Sequence, residues 1–141
     1  MAAQGGGTGR RIDSGENRRG VERGAAVVDF VLIGALLTLL FLAIVQLTLV
    51  LHVRNTLIDA AASGARYGTL ADRNDGDAKE RTVQLITAAL NSDYARDVGT
   101  SESTFQGIRT LEVTVRAPLP VIGFIGPRAL LEVKGHAAIQ R

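Results

Sequence analysis

The chain has 141 residues, 46% of them hydrophobic, with a formal net charge of +2 and no cysteine. That length suits one small domain with attachments. So small and dispersed a charge gives no ground for nucleic-acid binding, and without cysteine there is no disulfide framework, thiolate metal site or lipoprotein attachment.

Residues 1–24, MAAQGGGTGRRIDSGENRRGVERG, are rich in glycine and charge and almost free of apolar side chains. Such a stretch buries too little surface to offset its ordering entropy, and it reads as a disordered leader. Its GGGTGR run resembles a phosphate loop only superficially, because the Gly-Lys-Ser/Thr ending and a preceding strand are both missing.

From Phe30 to Leu51 the chain carries 22 residues without a charge. At about 1.5 Å per residue a helix of that length reaches roughly 33 Å, against about 30 Å of hydrocarbon. The polar members are Thr38, Gln46 and Thr48. A threonine hydroxyl can return to the backbone carbonyl one turn earlier, and Gln46 can bond between helices or reach the outer interface. A core helix apolar all round needs a large protein about it, and the rest of the chain is too short for that. Residues 25–52 are therefore predicted to span a membrane once. Arg10, Arg11, Arg18, Arg19 and Arg23 precede the span, whereas Arg54 and Arg66 alone fall in the next twenty residues. The excess keeps the N-terminus in the cytoplasm and sends residues 53–141 across.

The helix is expected to continue past the membrane through Arg54–Tyr67, which lacks proline and is rich in alanine. Ala60, Gly64 and Gly68 recur every four residues, as do Leu57, Ala61 and Ala65. Rows of small residues let another backbone approach closely and favour helix packing. ADRNDGD at 71–77 is a polar loop, and Asp77 with Glu80 forms an Asp-x-x-Glu capping pattern for a second helix. Val83, Ile86 and Leu90 give that helix a narrow apolar face. Residues Ser92–Gly107 read as irregular. Leu111, Val113 and Val115 then alternate with Glu112, Thr114 and Arg116, the period of a half-buried strand. Pro118, Pro120, Gly123, Gly126 and Pro127 mark a long turn. A last strand at about 129–139 places Leu131, Val133, Ala137 and Ile139 on one face and Glu132, Lys134, His136 and Gln140 on the other. The two strands pair most simply as an antiparallel hairpin. The predicted class is thus α+β: a long N-terminal transmembrane helix extending into a stalk, then a small extracytoplasmic domain with a second helix and a hairpin.

The residues that carry function lie where the leader meets the apolar run, in Glu22-Arg23-Gly24-Ala25-Ala26-Val27-Val28-Asp29-Phe30. Asp29 is a single acid inside the start of a membrane helix, where a charge is costly and points to function. Were the chain cut after Gly24, Ala25 would carry a free ammonium and Asp29 would be the fifth residue. An acid there can pair with the ammonium of a neighbouring, staggered subunit. Opposite charges attract far more strongly in apolar surroundings than in water, which can offset their desolvation.

Glycine, an acid five residues on, phenylalanine and an apolar helix resemble the N-terminus of type IV prepilins and pseudopilins. RGAAVVDF together with NTLIDAAASGARYG is similar to the TadE-like pseudopilins of tight-adherence (Tad/Flp) pilus systems over about residues 23–68. The resemblance implies that Gly24 ends a leader recognised by a prepilin peptidase and that Ala25 is the mature N-terminus. Asp29 stands where the family usually has glutamate, one methylene shorter. It also implies a structural role in pilus biogenesis and adhesion rather than an enzymatic one. The implied partners are membrane lipid, the prepilin peptidase, and other pilin or pseudopilin subunits through helix packing.

His52 and His136 have no second metal ligand at a recognisable spacing, and no nucleophile–base or paired-carboxylate pattern supports catalysis. Nothing calls for a cofactor or a small-molecule substrate. Two other functions stay open at this stage. One is a signal-anchored envelope protein whose exported domain binds a partner without entering a filament. The other is a secreted protein cut by ordinary signal peptidase near Ala60-Ala61-Ala62, although its apolar run far exceeds a signal-peptide core.

Overall fold

A computed structural model describes residues 2–7, 14–120 and 129–140. They fall into two compact units, residues 1–42 and 43–141. The elements in order are α1 (Ser14–Gly68), α2 (Asp75–Ala89), a short 3-10 helix (Ser92–Ala95), β1 (Asp97–Phe105), β2 (Ile108–Pro118) and β3 (Leu130–Ala138).

Helix α1 contributes to both units. The chain has no proline before Pro118, so nothing in the apolar run or the stalk removes a helical hydrogen bond. The helix starts at Ser14, well inside the stretch expected to lack structure. Glutamate, arginine, valine and alanine between residues 16 and 26 are acceptable to good helix formers, and they extend a helix whose costly nucleus is already supplied by the apolar run. Residues 2–7 have no regular structure and are exposed. The helix contains the chain's candidate membrane span, whose most apolar window has a mean hydropathy of 2.7 and no buried residue. Within it Thr38 Oγ1 donates to the Gly34 carbonyl at 2.8 Å and Thr48 Oγ1 to that of Ile44 at 2.9 Å. These hydroxyls are therefore satisfied without help from water, as an apolar environment demands. The chain is a single-pass membrane protein on this length and composition.

In the second unit a three-stranded antiparallel sheet, ordered β1-β2-β3, lies against the stalk of α1 and against α2. Its core joins Val53, Leu57, Ala61 and Ala65 of α1 with Ala78 and Ile86 of α2 and with Val98, Leu111, Val113, Val115, Ala117 and Val133 of the sheet. The register pairs Val115 with Val98 on one side and with Val133 on the other, so one inward row crosses all three strands. The alternation predicted for β2 and β3 is present, with Glu112, Arg116, Glu132, Lys134 and His136 on the outer face.

Further expectations change in this unit. Residues 97–105, read as irregular, form β1. Of that strand Val98 alone is buried, so it lacks the apolar alternation that betrays a half-buried strand. It is an edge strand held by backbone pairing to β2. The hairpin turns through Gln106 (φ 52°) and Gly107 (φ 79°), the two left-handed residues that a two-residue turn matched to strand twist requires. The capping box also sits one turn earlier than Asp77 and Glu80. The Asn74 side chain accepts from the Asp77 amide at 3.1 Å, and Asp77 accepts from the Asn74 amide at 2.9 Å. The earlier start carries Ala78 into the core, and the buried face of α2 is Ala78, Thr82 and Ile86, with Val83 and Leu90 at its flanks. Most of the turn expected after Pro120, with Gly123, Gly126 and Pro127, lies outside the described residues.

Candidate functional site

The residues expected to end the leader lie on α1 in the first unit. Gly24, Ala25, Asp29 and Phe30 are all exposed, and Phe30 has 78% of its surface free. A Cβ on Gly24 would meet nothing within 4 Å, so the position is open to an external protein. The helix runs unbroken through Gly24–Ala25. Glycine is about 1 kcal/mol poorer than alanine in a helix, so Gly20 and Gly24 lower the intrinsic helix preference of this stretch. Around Asp29, Val27, Val28, Val31, Leu32 and Ile33 are each more than half exposed. In a bilayer, the charge and this bare apolar surface would both face lipid or neighbouring helices.

The small-residue row has a different setting. Gly64 and Gly68 are buried against α2 of the same chain. A Cβ on Gly64 would overlap the Thr82 hydroxyl and stand 2.8 Å from the Ala78 carbonyl oxygen. A Cβ on Gly68 would lie 2.5 Å from Ala78 Cβ and 2.7 Å from Leu111 Cδ2. The close approach these glycines permit is taken up within the folded domain. Ala60 is buried too, beside a shallow groove lined by Thr56, Asp59, Ser63, Leu85 and Ala89. On the next row, Ala61 meets β3. A Cβ on Gly135 would overlap the backbone of Ala61 and Ala62, so the strand rests directly on the helix main chain. Gly135 is not among the residues expected to pack, yet it interrupts an otherwise regular strand. Such an interruption is itself the signal of a close backbone approach.

The outer face of the sheet carries an ion-pair network. Arg116 reaches Glu132 at 2.8 Å on β3 and Asp97 at 4.0 Å on β1. Glu112 takes Lys134 at 2.9 Å and His136 at 2.8 Å. The Lys134 hydrogen bond, followed by that from His136, holds the Glu112 carboxyl below its ordinary value against the opposing effect of burial. Glu112 in turn raises Lys134, and Arg116 lowers Glu132. His136 thus has a carboxylate partner, while His52 is exposed on α1. Among the described residues no group of three or more histidine or acidic side chains is placed to hold a metal ion. Near the end of α1, the Tyr67 ring lies 4.7 Å from the Arg73 guanidinium and 5.9 Å from that of Arg81. Arg66 in the last turn of α1 faces the negative end of the helix dipole.

These arrangements place an exposed helix in the first unit, with Asp29 its one charge from Gly24 to Leu42, and a self-contained domain in the second. Residues 24–66 match the family model described as TadE-like protein. The match opens at Gly24 and closes at Arg66 on the stalk. No curated protein and no solved structure matches the chain. Over residues 24–66 the chain is similar to TadE-like proteins.

Proposed function

We propose that this chain is a minor pilin or pseudopilin of a Tad-type pilus assembly system, processed by a prepilin peptidase between Gly24 and Ala25. The observation that carries the reading is the TadE-like match beginning at Gly24. It coincides with the glycine-to-acid spacing of Gly24 and Asp29. The exposed helix supports it: among the described residues Phe30 to Leu42 is exposed throughout, an apolar surface suited to lipid before assembly and to other subunits' helices after it. On this reading Asp29 pairs with the new Ala25 ammonium of a neighbour. The cytoplasmic (inner) membrane holds the chain, with the N-terminus in the cytoplasm and residues 53–141 outside. Signal-peptidase cleavage near Ala60-Ala61-Ala62 fits the fold poorly, because it would sever Val53 and Leu57 from the domain core.

The test is the mass of the membrane-purified protein from a host carrying a prepilin peptidase. A mature chain starting at Ala25 with the apolar helix retained is expected. A chain keeping residues 1–24 would instead favour a signal anchor whose exported domain never enters a filament.

A further inference from the structure

We infer that the surface formed by Pro118, Leu119, Pro120 and Leu130, where β2 ends and β3 begins, is a lipid-contact surface, seated in the outer interface of the membrane that α1 crosses. The observation is a hydrogen bond inside the second unit: the Gln46 side-chain amide donates to the carbonyl oxygen of Pro120. Gln46 belongs to the uncharged run that ends at Leu51. Five residues of helix correspond to about 7.5 Å, so the Pro120 carbonyl lies well below the upper end of that run. An amide and a carbonyl at such a depth have no water to bond and are costly unless they satisfy each other.

The side chains around this bond agree. Val45, Gln46, Leu49 and Val50 are half-buried, whereas Ile44, Leu47 and Thr48 are exposed, so one side of the helix is covered. The Leu119 amide donates to the Ala129 carbonyl at 3.1 Å, closing the strand ends together. Pro118, Leu119 and Pro120 are half-exposed, and Leu130 has 67% of its surface free. Two residues further up the ladder, Arg116 pairs with Glu132 and Asp97, and Asp93 and Arg96 line the same cleft as Pro118 and Leu130. The surface thus passes from apolar to charged over about 7 Å of strand, the sequence of environments that an outer leaflet presents. Outer-leaflet lipid is the occupant because this surface continues the apolar run of α1.

The absence of native cysteine permits a direct test on the full chain in vesicles of equal parts phosphatidylcholine and phosphatidylglycerol. Leu130→Cys and, at the far hairpin tip, Phe105→Cys are each spin-labelled. Both positions are exposed, so neither label disturbs the core. The expected result is that the label at 130 relaxes with lipid-soluble oxygen and is shielded from an aqueous nickel complex, with the reverse at 105. Equal access of nickel to both labels overturns the inference. Shielding of 130 from both reagents also overturns it, in favour of a protein cover such as a second copy. Gln46→Leu supplies an independent arm: it should leave the sheet intact but raise nickel access at 130, and an unchanged profile would deny the bond its anchoring role.

Discussion

A single methyl group separates a tolerated from a destructive change at several glycines. Gly135 brings β3 onto the main chain of α1, and a Cβ there would overlap backbone that cannot rotate away. Gly135→Ala is expected to cost about 3 kcal/mol, the upper part of the range for overpacking, whereas Gly99→Ala, with nothing within 4 Å, should change stability by less than about 0.5 kcal/mol. Urea denaturation of the detergent-solubilised chain compares the two, and equal midpoints would contradict the seating of β3. Asp29 calls for a different readout. Asp29→Ala removes a charge from an exposed, apolar stretch of α1, so the isolated subunit should lose no stability. On the proposed reading the assembled state should suffer, because a desolvated ammonium is left without its acid. Asp29→Glu should restore association. Co-purification with pilus-system partners at equal expression separates the cases, and equal recovery of all three forms would leave Asp29 an ordinary boundary residue.

At the level of elements, legibility followed the amount of apolar surface each segment buries. The apolar run, the stalk and the alternations of β2 and β3 were readable because burial imposes a period on them. β1 was not, since Val98 is its sole buried side chain and its pairing is a property of backbone. The start of α2 was misplaced because two capping patterns overlap, and the demand for Ala78 in the core selects Asn74 over Asp77. Asn74→Ala is accordingly expected to cost about 1 kcal/mol, measurable as a lowered melting temperature, while Glu80→Ala should leave the cap intact. The charges on the outer face were visible as alternation, but their partners depended on strand register. Glu112 supplies a pH signature. Its folded-state value is lowered, so its contribution to stability is present above the unfolded value of about 4.3 and is lost as pH falls below it. Glu112→Gln should flatten the acid limb of the stability profile, and an acid limb identical to that of the parent chain would place the pH dependence elsewhere.

For the molecule as a whole, orientation is the property that most constrains function. The arginines before the apolar run should hold the N-terminus in the cytoplasm. A reporter active only outside the cytoplasm, fused after Arg141, is therefore expected to be active, and activity of a cytoplasm-only reporter would reverse the assignment. The spacing of Gly24 and Asp29, on which the proposed site rests, was visible in the sequence alone. The fate of the small-residue row was not, because a row of glycines announces a close neighbour without saying whether it lies in the same chain. That fate bears on polymerisation. With Gly64 and Gly68 already occupied by α2, the exposed part of the span offers an incoming subunit mainly branched aliphatic and aromatic surface, from Phe30 through Leu42. Such surface is adhesive but nearly uniform along its length, so it favours contact while saying little about how far one helix should slide past the next. On the proposed reading, the pitch of an assembly is then encoded almost wholly by one carboxylate, and moving that carboxylate by one helical turn should alter the spacing of subunits while leaving their cohesion intact.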